Sequence, residues 1–213
     1  MNLDGGRRAG ARVSRRPGPQ SGQIVILTGA QGAGKTTTCL RLLDRVRELG
    51  LDCAGICCPA RLADGVKRGI DVVDARTQER RRLAEIDELP GTLRLGPYRF
   101  DPEAIAWGTS RLAVACPCDV LVVDEIGPLE LAHGEGWANA IEVLRAGEYR
   151  VAVAVVRPSL VDALRAAVGT SGAARLRACV GPGPKAVSDV LALVEHAAVP
   201  APQARLAPHE ETT

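Results

Sequence analysis

Only 2% of the residues are aromatic, so the chain offers few flat side chains on which exposed bases can stack. This scarcity argues against a single-stranded nucleic-acid binder. It also predicts an aliphatic, alanine-rich core, for which 46% hydrophobic residues in 213 are enough. Lysine is nearly missing: of 27 basic residues, only Lys35, Lys67 and Lys185 are lysines. No apolar run approaches the ~20 residues of a membrane-spanning helix, so no membrane partner is expected. No apolar segment follows the arginine-rich start, which argues against an export signal. Seven cysteines without such a signal point to free thiols and a cytoplasmic protein. A strong field of one sign is lacking too. Arg7, Arg8, Arg12, Arg15 and Arg16 against Asp4 give residues 1–22 a charge of +4, leaving −2 of the overall +2 for the remainder. That mildly acidic remainder does not suit a nucleic-acid partner.

Residues 1–22 read as a disordered basic arm through which a protein partner can dock, and 200–213, with three prolines, as a disordered tail. Residues 23–199 form one domain. Ile24-Val25-Ile26-Leu27, Val120-Leu121-Val122-Val123 and Val151–Val156 are short continuous apolar runs, as expected for strands buried on both faces. Helical stripes alternate with them. One follows Lys35 and closes at Gly50; another starts from Asp101-Pro102 as N-cap and first turn and runs to about Ala115. Others cover about 137–146, 159–168 and 186–197. Between the first helix and residue 100, runs at 51–58, 70–74, 82–86 and 92–100 are split by turn signals such as Asp64-Gly65 and Pro90-Gly91. The fold class that follows is α/β: a three-layer sandwich with a mostly parallel central sheet and an antiparallel hairpin region after the first helix.

Gly29-Ala30-Gln31-Gly32-Ala33-Gly34-Lys35-Thr36 matches GxxxxGK[ST] in full. In this spacing backbone N–H groups wrap a triphosphate while the lysine reaches its β- and γ-phosphates. A buried strand before it and a helix after it are the context the motif needs, and the helix N-terminus adds partial positive charge. Thr37 completes the expected nucleotide contacts. A compact ammonium fits between phosphate oxygens, which an arginine fork does not; one of the three lysines stands here.

The run VLVVDE ends a second buried strand in two acids. Asp124 is expected to hold the hydration shell of Mg²⁺ while the Thr36 hydroxyl binds the ion. Glu125 is the candidate to orient water and take its proton. The plainer readings are a helix cap for Asp124 and an exposed loop glutamate for Glu125.

GAQGAGKTT, Ala54-Gly55-Ile56, the GIDVVD run at 69–74, Gly96-Pro97-Tyr98 and above all DEIGPLEL at 124–131 resemble the small P-loop nucleoside-triphosphatases. That family includes the cancer-related nucleoside-triphosphatase of animals and thermophile relatives, and the resemblance covers about residues 23–170. It implies slow, Mg²⁺-dependent hydrolysis of ATP, GTP and other nucleoside triphosphates. It also implies that the 29–36 loop and the 121–128 segment, with Asp124, Glu125, Ile126 and Gly127, line the nucleotide. Gly127-Pro128 is expected to shape a turn and Glu130 to serve as an ion-pair partner.

Arg157-Pro158-Ser159 departs from the family pattern. Arg157 ends a central strand, the edge where α/β sheets hold ligands, so it is a candidate to stabilise γ-phosphate charge, set against a plain surface arginine. Cys116-Pro117-Cys118 and Cys57-Cys58 invite a zinc reading, but their spacing is short for one and buried thiols are expected instead. Trp107 and Trp137 read as packing residues. Two other functions stay open: a kinase using Arg80-Arg81-Arg82 or the 61–68 hairpin as a lid, and a non-catalytic nucleotide switch.

Overall fold

The computed structural model describes residues 22–86, 93–169 and 174–197. The tail and the arm lie outside the described residues, except Gly22. That residue begins strand β1 (Gly22–Thr28) rather than ending the arm. A side chain there has no room, since a Cβ would stand 2.6 Å from the Tyr149 ring.

Helix α1 (Lys35–Glu48) leads to β2 (Cys53–Cys57), β3 (Ala60–Ala63), β4 (Val66–Asp74) and β5 (Arg80–Ile86). The expected strand at 92–100 is two short ones, β6 (Arg94–Leu95) and β7 (Tyr98–Phe100), around a turn in which Gly96 has φ +61°; residue 92 is not described. Helix α2 (Pro102–Ala113) starts as expected, with the Asp101 carboxylate accepting the Glu103 N–H at 2.8 Å. β8 (Cys118–Ile126) runs past the two acids, and a π-turn (Leu129–His133) precedes α3 (Ala140–Ala146). α3 therefore starts later than the 137–146 expectation. β9 (Tyr149–Val156), a short 3₁₀ turn (Pro158–Leu160), α4 (Val161–Val168), β10 (Ala174–Val180) and α5 (Pro184–His196) complete the order. β10 escapes the sequence reading because arginines interrupt its apolar residues, as befits an edge strand.

The strands form one sheet in the order β10-β1-β9-β8-β2-β4-β5-β7-β6, with β3 on β4. From β10 to β2 every pairing is parallel, and from β2 onward antiparallel. The hairpin region therefore continues the parallel sheet. Alternate strand residues bury toward opposite faces. Val25, Leu27, Val120, Val122 and Val153 pack with α1 and α5; Ile24, Ile26, Leu121, Val123 and Ala152 pack with α2, α3 and α4. Those are the three layers. Trp107 and Trp137 are buried, the latter against Gly108, where a Cβ would lie 2.4 Å from its ring. Among the described residues no helix is long and apolar enough to cross a membrane.

Buried carboxylates tie the antiparallel half to the helices. Asp74 accepts hydrogen bonds from Arg111 Nε at 2.7 Å and from the N–H groups of Arg76 and Thr77. Burial pushes its pKa up, but these donors outweigh burial and hold it below the usual carboxylate value. A group with a depressed folded-state pKa contributes stability that is complete above its unfolded pKa and disappears as pH falls through the folded one. Asp74→Asn is thus expected to lower stability by about 2 kcal/mol at pH 7. In urea unfolding the gap between the two proteins should shrink as pH falls from 5 to 3. A gap of constant size over that range assigns the effect to packing instead.

Candidate active site

The carboxyl ends of four adjacent parallel strands bring the candidate residues together. In register, Thr28 of β1 and Ile126 of β8 both pair with Val156 of β9. The glycine loop, the acidic pair and Arg157 therefore leave the sheet side by side. β2 ends next to them at Cys57.

The loop depends on glycine at two points: Gly32 has φ +76° and Gly34 has φ +90°, conformations that a side chain resists. Gly34 is also the N-cap of α1, with no side chain on the first N–H groups and no acid in the first turn. Those donors and the helix dipole face the loop, which suits an anion there. Lys35 Nζ donates to the carbonyls of Gly29 and Ala30, at 2.9 Å each, and so spans the loop. Gln31, Gly32 and Ala33 form its exposed tip, and Thr37 is exposed as well. Behind them the Thr38 hydroxyl donates to Gly34 O at 2.9 Å and accepts the Gly183 N–H at 3.0 Å. The β10–α5 connection is thereby pinned to the loop, with Pro182 against Gly29.

Asp124 is 1% exposed. Its carboxylate accepts the Cys58 N–H at 3.0 Å, and the Thr36 side chain stands close enough to favour its charged form. Burial raises its pKa to about 6; the Cys58 N–H, Thr36 and Lys35 oppose that, and neighbouring Glu125 adds to it. A desolvated carboxylate of this kind favours a cation beside it. The two oxygen donors, Thr36 and Asp124, suit Mg²⁺, which binds few protein ligands and keeps its waters. Among the described residues no group of three or more His, Cys, Asp or Glu forms a metal cage. Cys39, Cys53, Cys57 and Cys118 are buried free thiols and Cys58 and Cys116 half-buried ones.

Glu125 is half-exposed, and its Oε1 accepts Arg157 Nε at 3.2 Å. Two candidates that sequence treats separately are thus one ion pair, which at this exposure is worth about 0–1 kcal/mol. Ile126 is fully buried in the core on the α2–α4 face. Glu130 departs from its expected role as an ion-pair partner. It accepts the N–H groups of Gly127 at 2.8 Å and Trp137 at 2.9 Å, closing the 127–137 segment on itself. The reason is local: the chain folds back through Gly136, whose φ of +62° brings the backbone onto that carboxylate. Cys58 and Gly183 were invisible in the sequence as site neighbours, since each acts through a backbone N–H that carries no residue-type signal.

The kinase lid candidates are engaged elsewhere. Arg80 pairs with Asp71 and Arg82 with Glu85, while Arg81 lies 4.7 Å from the centre of the Trp107 ring. Arg61 in the hairpin pairs with Glu85.

A glycine loop between a buried parallel strand and a helix, with a buried acid at the end of β8, the next strand but one, defines a nucleotide-binding α/β protein of the phosphate-loop class. Within that class, the sequence model of the NTPase family matches residues 24–172. The chain belongs to this NTPase family and is by that membership an enzyme of the nucleoside-triphosphatase class. Relatives named nucleoside-triphosphatase THEP1 include those of Caldivirga maquilingensis (29% identical, 62% of this chain, 75% of that one) and Ignicoccus hospitalis (37%, 50% and 60%). The Pyrococcus abyssi protein is 32% identical over 66% of this chain and 77% of its own. Among solved structures, a human cancer-related nucleoside triphosphatase aligns with a TM-score of 0.59 at 20% identity, over 82% of this chain and 98% of its own. THEP1 from Aquifex aeolicus gives 0.56 at 19%, over 81% and 99%. These two likenesses establish the fold.

Proposed function

We propose that the protein hydrolyses nucleoside 5′-triphosphates, ATP, GTP and others, to diphosphate and phosphate with Mg²⁺, in the cytoplasm. The observation that supports this most is the acidic pair beside the glycine loop: buried Asp124, bonded by the Cys58 N–H and close to Thr36, with half-exposed Glu125 next to it. The N–H groups of the 29–36 loop and Lys35 hold the β- and γ-phosphates. Thr36 would bind Mg²⁺ and Asp124 its hydration shell; the ion, when bound, neutralises phosphate charge. Glu125 orients a water, whose oxygen bonds to the γ-phosphorus as the bond to the β–γ bridging oxygen breaks. The proton passes to Glu125 and the bridging oxygen leaves with the diphosphate. The cytoplasmic location rests on the thiol-rich composition.

Hydrolysis fits better than phosphorylation of an acceptor, because Arg80 and Arg82, two of the arginines proposed for a lid, are paired with buried acids of the β4–β5 region, and Arg81 lies against Trp107. Glu125→Gln keeps the shape but cannot accept a proton. It is expected to lower phosphate release at least about 10-fold, with Mg²⁺–nucleotide affinity within a few-fold of the parent. Undiminished turnover in this variant removes Glu125 from the reaction.

A further inference from the structure

We infer that the Arg157–Glu125 ion pair is a sensor of the terminal phosphate, exchanged when a triphosphate binds and left closed by a diphosphate. The inference rests on the hydrolytic reading above and adds a regulation of that site. In the structure, Arg157 Nε holds Glu125 Oε1 at 3.2 Å, so the oxygen that is to face water is occupied by a guanidinium. Both side chains are about half-exposed, at 53% and 42%, so the pair is solvated and readily exchanged. A buried pair would not part so easily.

The backbone fixes where the guanidinium can go. Arg157 leaves β9 in an extended conformation, φ −73° and ψ 153°, ahead of Pro158, which disfavours a helical turn at that residue. β9 lies between β1 and β8, with Thr28 and Ile126 both in register with Val156. One residue further on, Arg157 leaves the sheet between the start of the glycine loop, which follows Thr28, and the irregular β8 segment just before Ile126 that carries the acidic pair. A phosphoryl group held by Lys35 and the α1 N-terminus lies between those flanking elements, within reach of a long arginine side chain. The γ-phosphate carries more charge than one carboxylate and matches the planar fork, so it draws Arg157 away and leaves the Glu125 oxygen free to orient water. A diphosphate ends short of that position and leaves the pair intact. One side chain thus reads the presence of the third phosphate and releases the residue that acts on it.

The test is calorimetric titration of the full chain with Mg²⁺ and either ADP or an ATP analogue whose β–γ bridge is a methylene group. Arg157→Ala is expected to weaken the analogue by about 10-fold or more while ADP stays within threefold. Arg157→Lys restores part of the difference. Glu125→Ala removes the competing carboxylate and should tighten the analogue by roughly 1.5- to 5-fold, the range an exposed pair can contribute, a gain that vanishes in the Glu125→Ala/Arg157→Ala double variant. Equal effects of Arg157→Ala on both nucleotides, in a protein that still releases phosphate from ATP, overturn the sensor and leave the hydrolytic reading standing. Failure of the parent protein to bind either nucleotide overturns both.

Discussion

Lys35→Ala is expected to reduce kcat/KM for nucleoside triphosphates by about 10³-fold, within the range seen when a preorganised charge on the reacting group is removed. Two losses combine. The ammonium lies inside the glycine loop assigned to the phosphates, and its hydrogen bonds to Gly29 O and Ala30 O also span that loop. Lys35→Arg should recover little, because the guanidinium fork is wider and flatter than the space between two carbonyls and a phosphate. Both substitutions lie at the solvent-facing edge, so urea unfolding should move by about 1 kcal/mol or less. Phosphate release within 10-fold of the parent in Lys35→Ala contradicts the assignment of the loop as the triphosphate cradle.

Gly55→Ala should do the reverse, leaving every candidate site residue in place and removing the fold that aligns them. Gly55 sits inside β2 with φ +101°, paired in register with Val122 of β8. A Cβ there would lie 2.0 Å from the Val122 carbonyl oxygen. The strand has no free direction in which to retreat, since β4 pairs on its other side and Gly55 O accepts the Ala75 N–H at 2.9 Å. Clash and positive φ together predict a loss of about 4 kcal/mol or more, which for a chain of this size is roughly 8–16 °C in Tm. The matched control is Gly65→Ala, with φ +74° and nothing within 4 Å of its Cβ, where about 1 kcal/mol is expected from backbone strain alone. Equal melting temperatures for the two variants refute the close-approach argument.

These two glycines show how far a sequence reading reaches. Gly65 sits in an Asp-Gly turn signal and is legible as such. Gly55 looked like one more member of an Ala-Gly-Ile run, and its need comes from a carbonyl on another strand. The glycine loop was legible because all its parts are local: strand, spaced glycines, lysine and helix follow one another along the chain. Asp124 was legible as the end of an apolar run. Its burial, its bond from Cys58 and its closeness to Thr36 are not, because they come from segments that are distant in sequence. Glu130 differs for another reason: a glutamate's residue type suggests a cation, yet here two nearby backbone N–H groups, brought round by the return of the chain through Gly136, bond its carboxylate. β10 went unseen because an edge strand, open to water along one side, has no need of a continuous apolar run.

By itself the sequence determined that a buried strand, a phosphate-type loop and a helix occur in tandem, that a second apolar strand ends in two acids, and that the domain alternates strands with helices. Each of those is a short-range pattern written in neighbouring residues. Only the tertiary structure decided that β9 lies between β1 and β8, which sets Arg157 against Glu125 beside the loop, and that the antiparallel strands extend the same sheet. Strand order has no local code: it is chosen by which hydrophobic faces and hydrogen-bonding edges satisfy one another when the whole chain collapses, and the ion pair at the site is a consequence of that choice.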